Sequence, residues 1–369
     1  MTESKPTRWV LQVCHGYSGP FLDCARQYAA LFDSTDYRIC TVYLTGEPSD
    51  AVAAGSASDE VIFLGLGGRD IRGLKFKAIR EIRRIARGRQ FSFCIAHRFK
   101  PTYIALFATG IPVIGVQHAF GVYDRVSRRL LASTFRSRLM LLGVSQAVAR
   151  DIAESMPRFQ ADRIETLYNR IDVAAVRSEL LPKSEARKEL GLDSSTYVIG
   201  NVGRLHPDKD QATLIEAFAE ALPQLPSDSR LFIAGTGPLE QSLKKLAATL
   251  GVGDKVSFPG QVPNARTKFR AFDSFALSSD HEPFGMVLLE AMAAGLPIIC
   301  SDCGGGREVV AGEGRLFPLG DSRALAAQLV ATSRTSAAVD YPRLQTEFSD
   351  AAAKARFWSL AERWALELR

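Results

Sequence analysis

Alternation of apolar, strand-length runs with helical stretches constrains this chain more than any other feature. Trp9-Val10-Leu11-Gln12-Val13-Cys14 reads as a buried strand, His15-Gly16-Tyr17-Ser18-Gly19-Pro20 as a loop, and 21–32 as a helix. The same alternation predicts strands near 37–44, 60–64, 91–96, 112–117, 139–144 and 163–168, with helices near 73–88, 101–108, 124–137 and 145–155. A second series opens at Tyr197-Val198-Ile199-Gly200-Asn201-Val202-Gly203-Arg204-Leu205, with a helix expected over 211–221. Apolar strands separated by helices imply parallel sheets covered on both faces, an α/β fold. A length of 369 residues suits two such domains, on the usual prior of roughly 100–200 residues each. The loop at Gly16 lacks G-x-G-x-x-G spacing, so no dinucleotide fingerprint is present.

Hydrophobic content of 46% and charged content of 23% are ordinary for a globular chain. No run reaches the roughly 18 apolar residues of a membrane span, and Met1–Arg8 lacks the apolar core of a signal peptide. A cytoplasmic location is the expectation. The six cysteines sit mostly in apolar runs, the pattern of reduced buried thiols. Cys300 and Cys303 have C-x-x-C spacing without a second pair, and no metal-ligand cluster is visible.

The net charge of +6 is concentrated in the N-terminal half. Residues 69–100 hold eleven Lys and Arg against Asp70 and Glu81, a local +9, and 125–138 add five Arg with no acid. Such a face can attract an anionic membrane surface, about 1 kcal/mol per basic residue. A solvated helix face gives the same pattern: Phe76, Ile79 and Ile82 recur at helical spacing, so the 73–88 helix would bury that stripe and leave its basic residues outside. No nucleic-acid motif accompanies the charge, and nucleic acid is not an expected partner.

Strand, loop and helix recur at Phe272–Gly295, where Glu282 and Glu290 lie eight positions apart around Pro283-Phe284-Gly285-Met286-Val287. A helix start leaves backbone N–H groups unpaired and carries partial positive charge, which makes it an anion site. Gly285 lets a ligand approach the backbone. A solvated loop Glu and a helix-surface Glu give the same spacing. Arg204 and Lys209 flank another strand-to-helix loop, where two cations suit a diphosphate; two exposed surface cations are the plainer alternative. His118 follows the strand Val113–Gln117, at the edge where open α/β sheets bind ligands. His97 and His15 occupy similar places.

Glu-Pro-Phe-Gly with a second Glu, Gly-Arg-Leu ahead of Lys209, Gly235-Thr236-Gly237-Pro238, and the Gly304-Gly305-Gly306 loop together resemble family-4 retaining glycosyltransferases of the GT-B fold, the lipopolysaccharide-core type among them. The resemblance is dense in the C-terminal half and thin in the N-terminal half. It implies two Rossmann-like domains with parallel sheets facing a central cleft: 1–172 for the acceptor, 173–345 for a nucleotide-sugar donor, and a C-terminal helix, 346–369, crossing back to the first domain. It further implies that Arg204 and Lys209 bind the donor diphosphate with backbone from Gly285 to Val287. Glu290 would hold the ribose, Glu282 sugar hydroxyls, and Val262 the base, with Gly16, Phe284 and Met286 also at the donor. His118 and Glu282 carry the catalytic roles. The implied reaction moves a hexose, from a UDP-sugar by preference, to a glycan or glycolipid without a metal or other cofactor. A nucleotide-sugar epimerase, a glycogen-type synthase and a non-catalytic membrane-binding module are the alternatives. Tyr168-Asn169-Arg170-Ile171-Asp172 resembles the family's Asn-Gly-Val/Ile-Asp hinge, with Arg170 where Gly is usual.

Overall fold

The computed structural model describes residues 8–335 and 338–364. The chain divides into two units, Met1–Asn169 with Asp350–Arg369, and Arg170–Ser349.

The first unit is built on seven parallel strands: β1 (Arg8–Cys14), β2 (Tyr37–Tyr43), β3 (Glu60–Phe63), β4 (Phe91–His97), β5 (Val113–Gln117), β6 (Leu139–Gly143) and β7 (Ile164–Thr166). Their spatial order is β3-β2-β1-β4-β5-β6-β7. The order reverses at β1, so a crevice opens beyond the C-terminal ends of β1 and β4, the topological switch point of such sheets. Apolar residues on both faces of β1 from Val10 onward, and of β4 and β5, are buried, which is why these runs read as continuous rather than alternating. The helix Gln146–Ser155 is capped by Ser145, whose Oγ accepts from Val148 N at 3.1 Å. A short helix, Asp50–Gly55, begins after Ser49 in residues that the sequence pattern left unassigned.

The second unit has six strands: β8 (Tyr197–Val202), β9 (Ser229–Ala234), β10 (Val256–Ser257), β11 (Ser274–Leu277), β12 (Ile298–Ser301) and β13 (Arg315–Phe317). They pair in parallel in the order β10-β9-β8-β11-β12-β13, reversing at β8. Ile199, Leu231, Ile233, Ala276 and Ile299 from the strands pack with Leu214 and Phe218 of the helix Gln211–Ala221 into one core. Both units are Rossmann-like, the pair of α/β halves that defines a GT-B chain.

Three expectations need correction. The helix expected over 73–88 spans Phe76–Arg87, and its buried residues are Ala78, Ile79 and Ile82. Phe76 is 73% exposed: Lys75 enters at φ +56, so Phe76 opens the first turn, ahead of the residues that pack. The C-terminal helix expected over 346–369 begins only at Asp350 and runs to Arg363, after a separate short helix Pro342–Thr346, because Ser349 bridges to Ile171 and Phe348 O accepts from Ile171 N at 3.1 Å. The helical assignment of residues 365–369 and the reading of residues 1–7 lie outside the described residues. At the expected hinge, Arg170 is 0% exposed, so the side chain standing where Gly is usual turns inward. Within the first unit, Trp358 Nε1 donates to Leu31 O at 3.0 Å and Trp364 Nε1 to Asp162 O at 2.7 Å.

Candidate functional site

In the second unit, the loop leaving β8 carries Arg204 and Lys209. The Gly235–Gly237 loop leaving β9 supports it: Leu205 N donates to Thr236 O at 3.0 Å. A Cβ on Gly235 would lie 1.8 Å from Gly203 O, and one on Gly237 2.2 Å from Leu205 O. These two glycines are therefore dictated by backbone-to-backbone packing under the cationic loop. A single 3₁₀ turn, Pro207–Lys209, ends that loop, and Asp210 caps the next helix through Thr213 N.

The loop leaving β11 lies against it. Ser278 Oγ donates to Lys209 O at 3.0 Å and Asp280 N to Asp208 O at 3.2 Å. Lys209 Nζ reaches Glu282 Oε2 at 2.7 Å, and Ser279 Oγ donates to the same oxygen at 3.2 Å. The pair is shielded, with 16% and 10% of the two side chains exposed. Gly305 N donates to Glu282 O at 2.8 Å, and a Cβ on Gly305 would stand 2.3 Å from Pro283 O. The triple-glycine stretch thus clamps the Glu282 loop. Cys303 Sγ donates to Ser279 O at 2.9 Å, which gives this cysteine a place in the same loop.

Gly285, at φ +94, opens the helix Met286–Ala293. Leu288, Leu289 and Ala291–Ala293 are buried, whereas Met286, Val287 and Glu290 are partly exposed, with Glu290 neighbouring Met286 at i, i+4 and Val287 at i, i+3. The Phe284 side chain is withdrawn from that face, 2% exposed and 5.9 Å from the Phe348 ring, so Phe284 offers the site its backbone only. Arg204 is exposed and its guanidinium meets Asp208 Oδ2 at 3.3 Å. Val262 lies on the loop after β10, which is tied by Gly235 N donating to Gly260 O at 2.8 Å. Cations, a shielded carboxylate and a helix start thus meet at one strand edge, where they can hold an anion beside a hydroxyl-bearing group. A cavity of about 420 Å³ bordered by Tyr197, Phe272 and Pro297 lies at the other, N-terminal strand edge.

In the first unit the C-terminal ends of β1, β4 and β5 border a cavity of about 360 Å³ that includes His15, Arg98, Gln117 and His118. Gly16 lies beside it: its Cβ position is 2.8 Å from Thr45 Oγ1, which in turn donates to His15 O at 2.7 Å. Beneath the cavity runs a buried polar chain. Gln12 Nε2 donates to Ala25 O at 3.2 Å, and a carbonyl can only accept, so Gln12 Oε1 faces His97 Nε2 at 3.3 Å as an acceptor. His97 Nε2 must then carry the proton, and its Nδ1 accepts from His118 Nε2 at 3.3 Å. Burial pushes the pKa of His97 well down, and burial with Arg98 lowers His118 to about 4, so both rings are neutral at pH 7. His118 is thereby left with an unprotonated Nδ1, a hydrogen-bond acceptor. Sequence reasoning passed over Gln12; its one signal is a polar residue inside an otherwise apolar strand. Arg98, Lys100 and Arg128 were counted only as charge.

Residues 35–175 match the family model for Glycosyltransferase Family 4, and residues 182–334 match that for Glycosyl transferases group 1. The chain is 36% identical over 135 residues to a lipopolysaccharide core biosynthesis mannosyltransferase, LpsB of Rhizobium meliloti, covering 35% of this chain and 38% of that protein. It is 38% identical over 212 residues to a D-inositol 3-phosphate glycosyltransferase of Segniliparus rotundus, covering 53% of this chain and 47% of that one. The aligned parts thus span half or less of these relatives' own lengths. In fold it resembles HepE of Anabaena, solved with UDP and glucose, at a TM-score of 0.77 and 19% identity over 96% of this chain and all of that one. With one glycosyltransferase model on each half and two Rossmann-like units beneath them, the chain belongs to the family-4 glycosyltransferases of GT-B architecture.

Proposed function

We propose that the protein is a retaining glycosyltransferase that moves a hexose from a nucleotide diphosphate sugar, a UDP-sugar by preference, to a glycan or glycolipid of the lipopolysaccharide-core type. The observation that carries this reading is the junction of Lys209 with Glu282, 2.7 Å apart, beside Arg204 and the start of the helix Met286–Ala293. A nucleotide sugar offers a diphosphate adjoining a ring of hydroxyls. Lys209, Arg204 and the amides near Gly285–Val287 suit the first, and the Glu282 carboxylate suits the second. Neutralising charge that develops on the leaving diphosphate is transition-state stabilisation by groups already in place. Two cations and a helix terminus supply that charge without a metal. Glu290 and Val262 are the proposed ribose and base contacts. His118 Nδ1 is suited to accept from a hydroxyl and so to orient it. The named activities of LpsB and of the inositol-phosphate relative, and the UDP bound to HepE, favour the same reading.

We also propose a cytoplasmic protein that rests on an anionic membrane through the first unit. Leu74 and Phe76, 60% and 73% exposed, flank Lys75, which sits 4.2 Å from the Tyr103 ring centroid. Val126 and Leu130, 60% and 63% exposed, flank Arg128, which sits over Phe99, a ring partner of Tyr103. Apolar tips among basic residues suit a charged interface. Among the described residues no helix is long and apolar enough to cross a membrane.

The test is a panel of UDP-, GDP- and ADP-sugars read by thermal shift and by release of nucleotide. A bound donor at a hundred-fold excess over Kd stabilises by about 2.7 kcal/mol. Turnover with an acceptor supports transfer, whereas conversion of the nucleotide sugar without one points to an epimerase. Absence of any binding overturns the proposal.

A further inference from the structure

The cavity in the first unit gathers three cations that no carboxylate answers among the described residues. Arg98, Lys100 and Arg128 all border it, and among the described residues none of the three is ion-paired with a carboxylate. Aromatic rings hold two of them: Arg98 lies 4.8 Å from the Phe21 ring centroid, and Arg128 lies 4.6 Å from that of Phe99 with its Nη1 donating to Val122 O at 2.8 Å. Asp124 acts on Arg128 only at a distance. Mutual influence places the cations together, since Lys100 and Arg98 both depress the His15 pKa, after burial, and Lys100 and Arg128 both depress that of Lys75, again after burial.

Two further observations point to a ligand. Arg98 has φ +77 and ψ 166, a conformation that essentially only glycine adopts, and such backbone strain gathers at ligand clamps. It precedes the helix Phe99–Ala108, whose start adds unpaired amides at the cavity. Gln117, 1% exposed, borders the same cavity, and its Nε2 has no hydrogen-bond partner. A buried amide donor left unmatched costs stability unless something accepts from it.

We propose that this cavity binds a phosphate group carried by the acceptor, held by Arg98, Lys100 and Arg128 with Gln117 Nε2 donating to one of its oxygens. Three cations with no acid match a dianion better than a carboxylate, and the number of donors matches the several oxygens of a phosphate monoester. A phosphorylated sugar is the source that the reading of the preceding subsection favours, and the proposal rests on that reading for the word acceptor. The site itself stands on the first unit alone.

Binding is measured by calorimetry on the full chain with glucose 6-phosphate, glucose, inorganic phosphate, UDP, and vesicles of phosphatidic acid in phosphatidylcholine. Glucose 6-phosphate is expected to bind and glucose not. Lys100→Ala and Arg128→Gln each weaken glucose 6-phosphate at least tenfold while leaving UDP unchanged. Arg98→Gly has the same effect without lowering Tm, because glycine relieves the strained φ while removing the cation. Inorganic phosphate binding as tightly as glucose 6-phosphate, or vesicles alone being recognised through these residues, would overturn the assignment to a sugar-borne phosphate. Glucose 6-phosphate binding that none of the three variants alters, or no binding at all, would overturn the site. If UDP binds and Lys209→Met abolishes it while the phosphate site fails, the donor reading survives. If no nucleotide binds but the phosphate site behaves as stated, the donor reading is the one that falls.

Discussion

Replacing Lys209 by Met tests the electrostatic centre of the second unit. Lys209 Nζ lies 2.7 Å from Glu282 Oε2, and only 16% and 10% of the two side chains are exposed. At that separation the attraction is about 6 kcal/mol with an effective dielectric constant of ~20, much of it offset by the desolvation of both groups. The variant leaves the shielded carboxylate with the Ser279 hydroxyl at 3.2 Å. Breaking a fully buried pair costs about 3–5 kcal/mol, and partial exposure brings the expectation here to roughly 3 kcal/mol. For a unit of this size that is a fall of roughly 6–12 °C in Tm. Glu282→Gln keeps the shape and one acceptor oxygen, and added to Lys209→Met it should recover most of the loss. Chemical denaturation of wild type, both single variants and the double variant gives the coupling energy, expected above ~1 kcal/mol. A coupling under ~0.3 kcal/mol refutes the claim that these groups hold each other. Nucleotide binding separates function from folding: the double variant should regain stability but not the donor.

Other consequences are direct. Because His97 and His118 are held neutral, the unfolded chain takes up protons at these sites below its ordinary pKa near 6.5 while the folded chain resists until about pH 4 for His118. Stability from this pair is therefore complete above pH 6.5 and is lost as pH falls toward 4; His97→Gln/His118→Gln should flatten that acid limb in Tm scans, and an unchanged limb would count against it. Gly235→Ala should cost more than ~3 kcal/mol or prevent folding, since its Cβ would meet Gly203 O at 1.8 Å. Gly16→Ala should cost only ~1 kcal/mol, because Thr45 Oγ1 can rotate away; equal losses in denaturation would undo the distinction. Gln12→Leu removes the acceptor that orients His97, so nitrogen-15 NMR should show His118 losing its pure Nε2–H form, with kcat falling more than KM rises. Leu74→Ser/Phe76→Ser should reduce sedimentation with anionic liposomes at least tenfold, each lost apolar burial being about 1.5–3 kcal/mol, and binding that is unaltered would remove the membrane proposal.

Several parts of the candidate site's geometry were legible because they depend on local chemistry. The cations at 204 and 209, the glycines at 235, 237 and 285, and the two glutamates are separated by short loops whose strand-loop-helix order the sequence displays. The exposure of Phe76 and the withdrawal of Phe284 were not legible. Helical spacing fixes which residues share a face but not where a helix starts relative to its neighbours, and Phe284 is turned inward by Phe348, sixty-four positions away. The C-terminal helix expected from 346 starts late for a related reason: the partner of Ser349 is Ile171 in a distant segment.

By itself the sequence determined the fold class, through the burial of apolar strands between helices, and the cationic and carboxylate groups at the second unit's strand ends. Tertiary structure alone decided which charges meet. It paired Lys209 with Glu282 across seventy-three positions, linked Gln12 through His97 to His118, and gathered Arg98, Lys100 and Arg128 around one cavity. The physical reason is that periodicity is a property of neighbours along the chain, whereas hydrogen bonds and ion pairs are made over about 3 Å in space, and a parallel sheet brings together loop ends that the sequence keeps far apart.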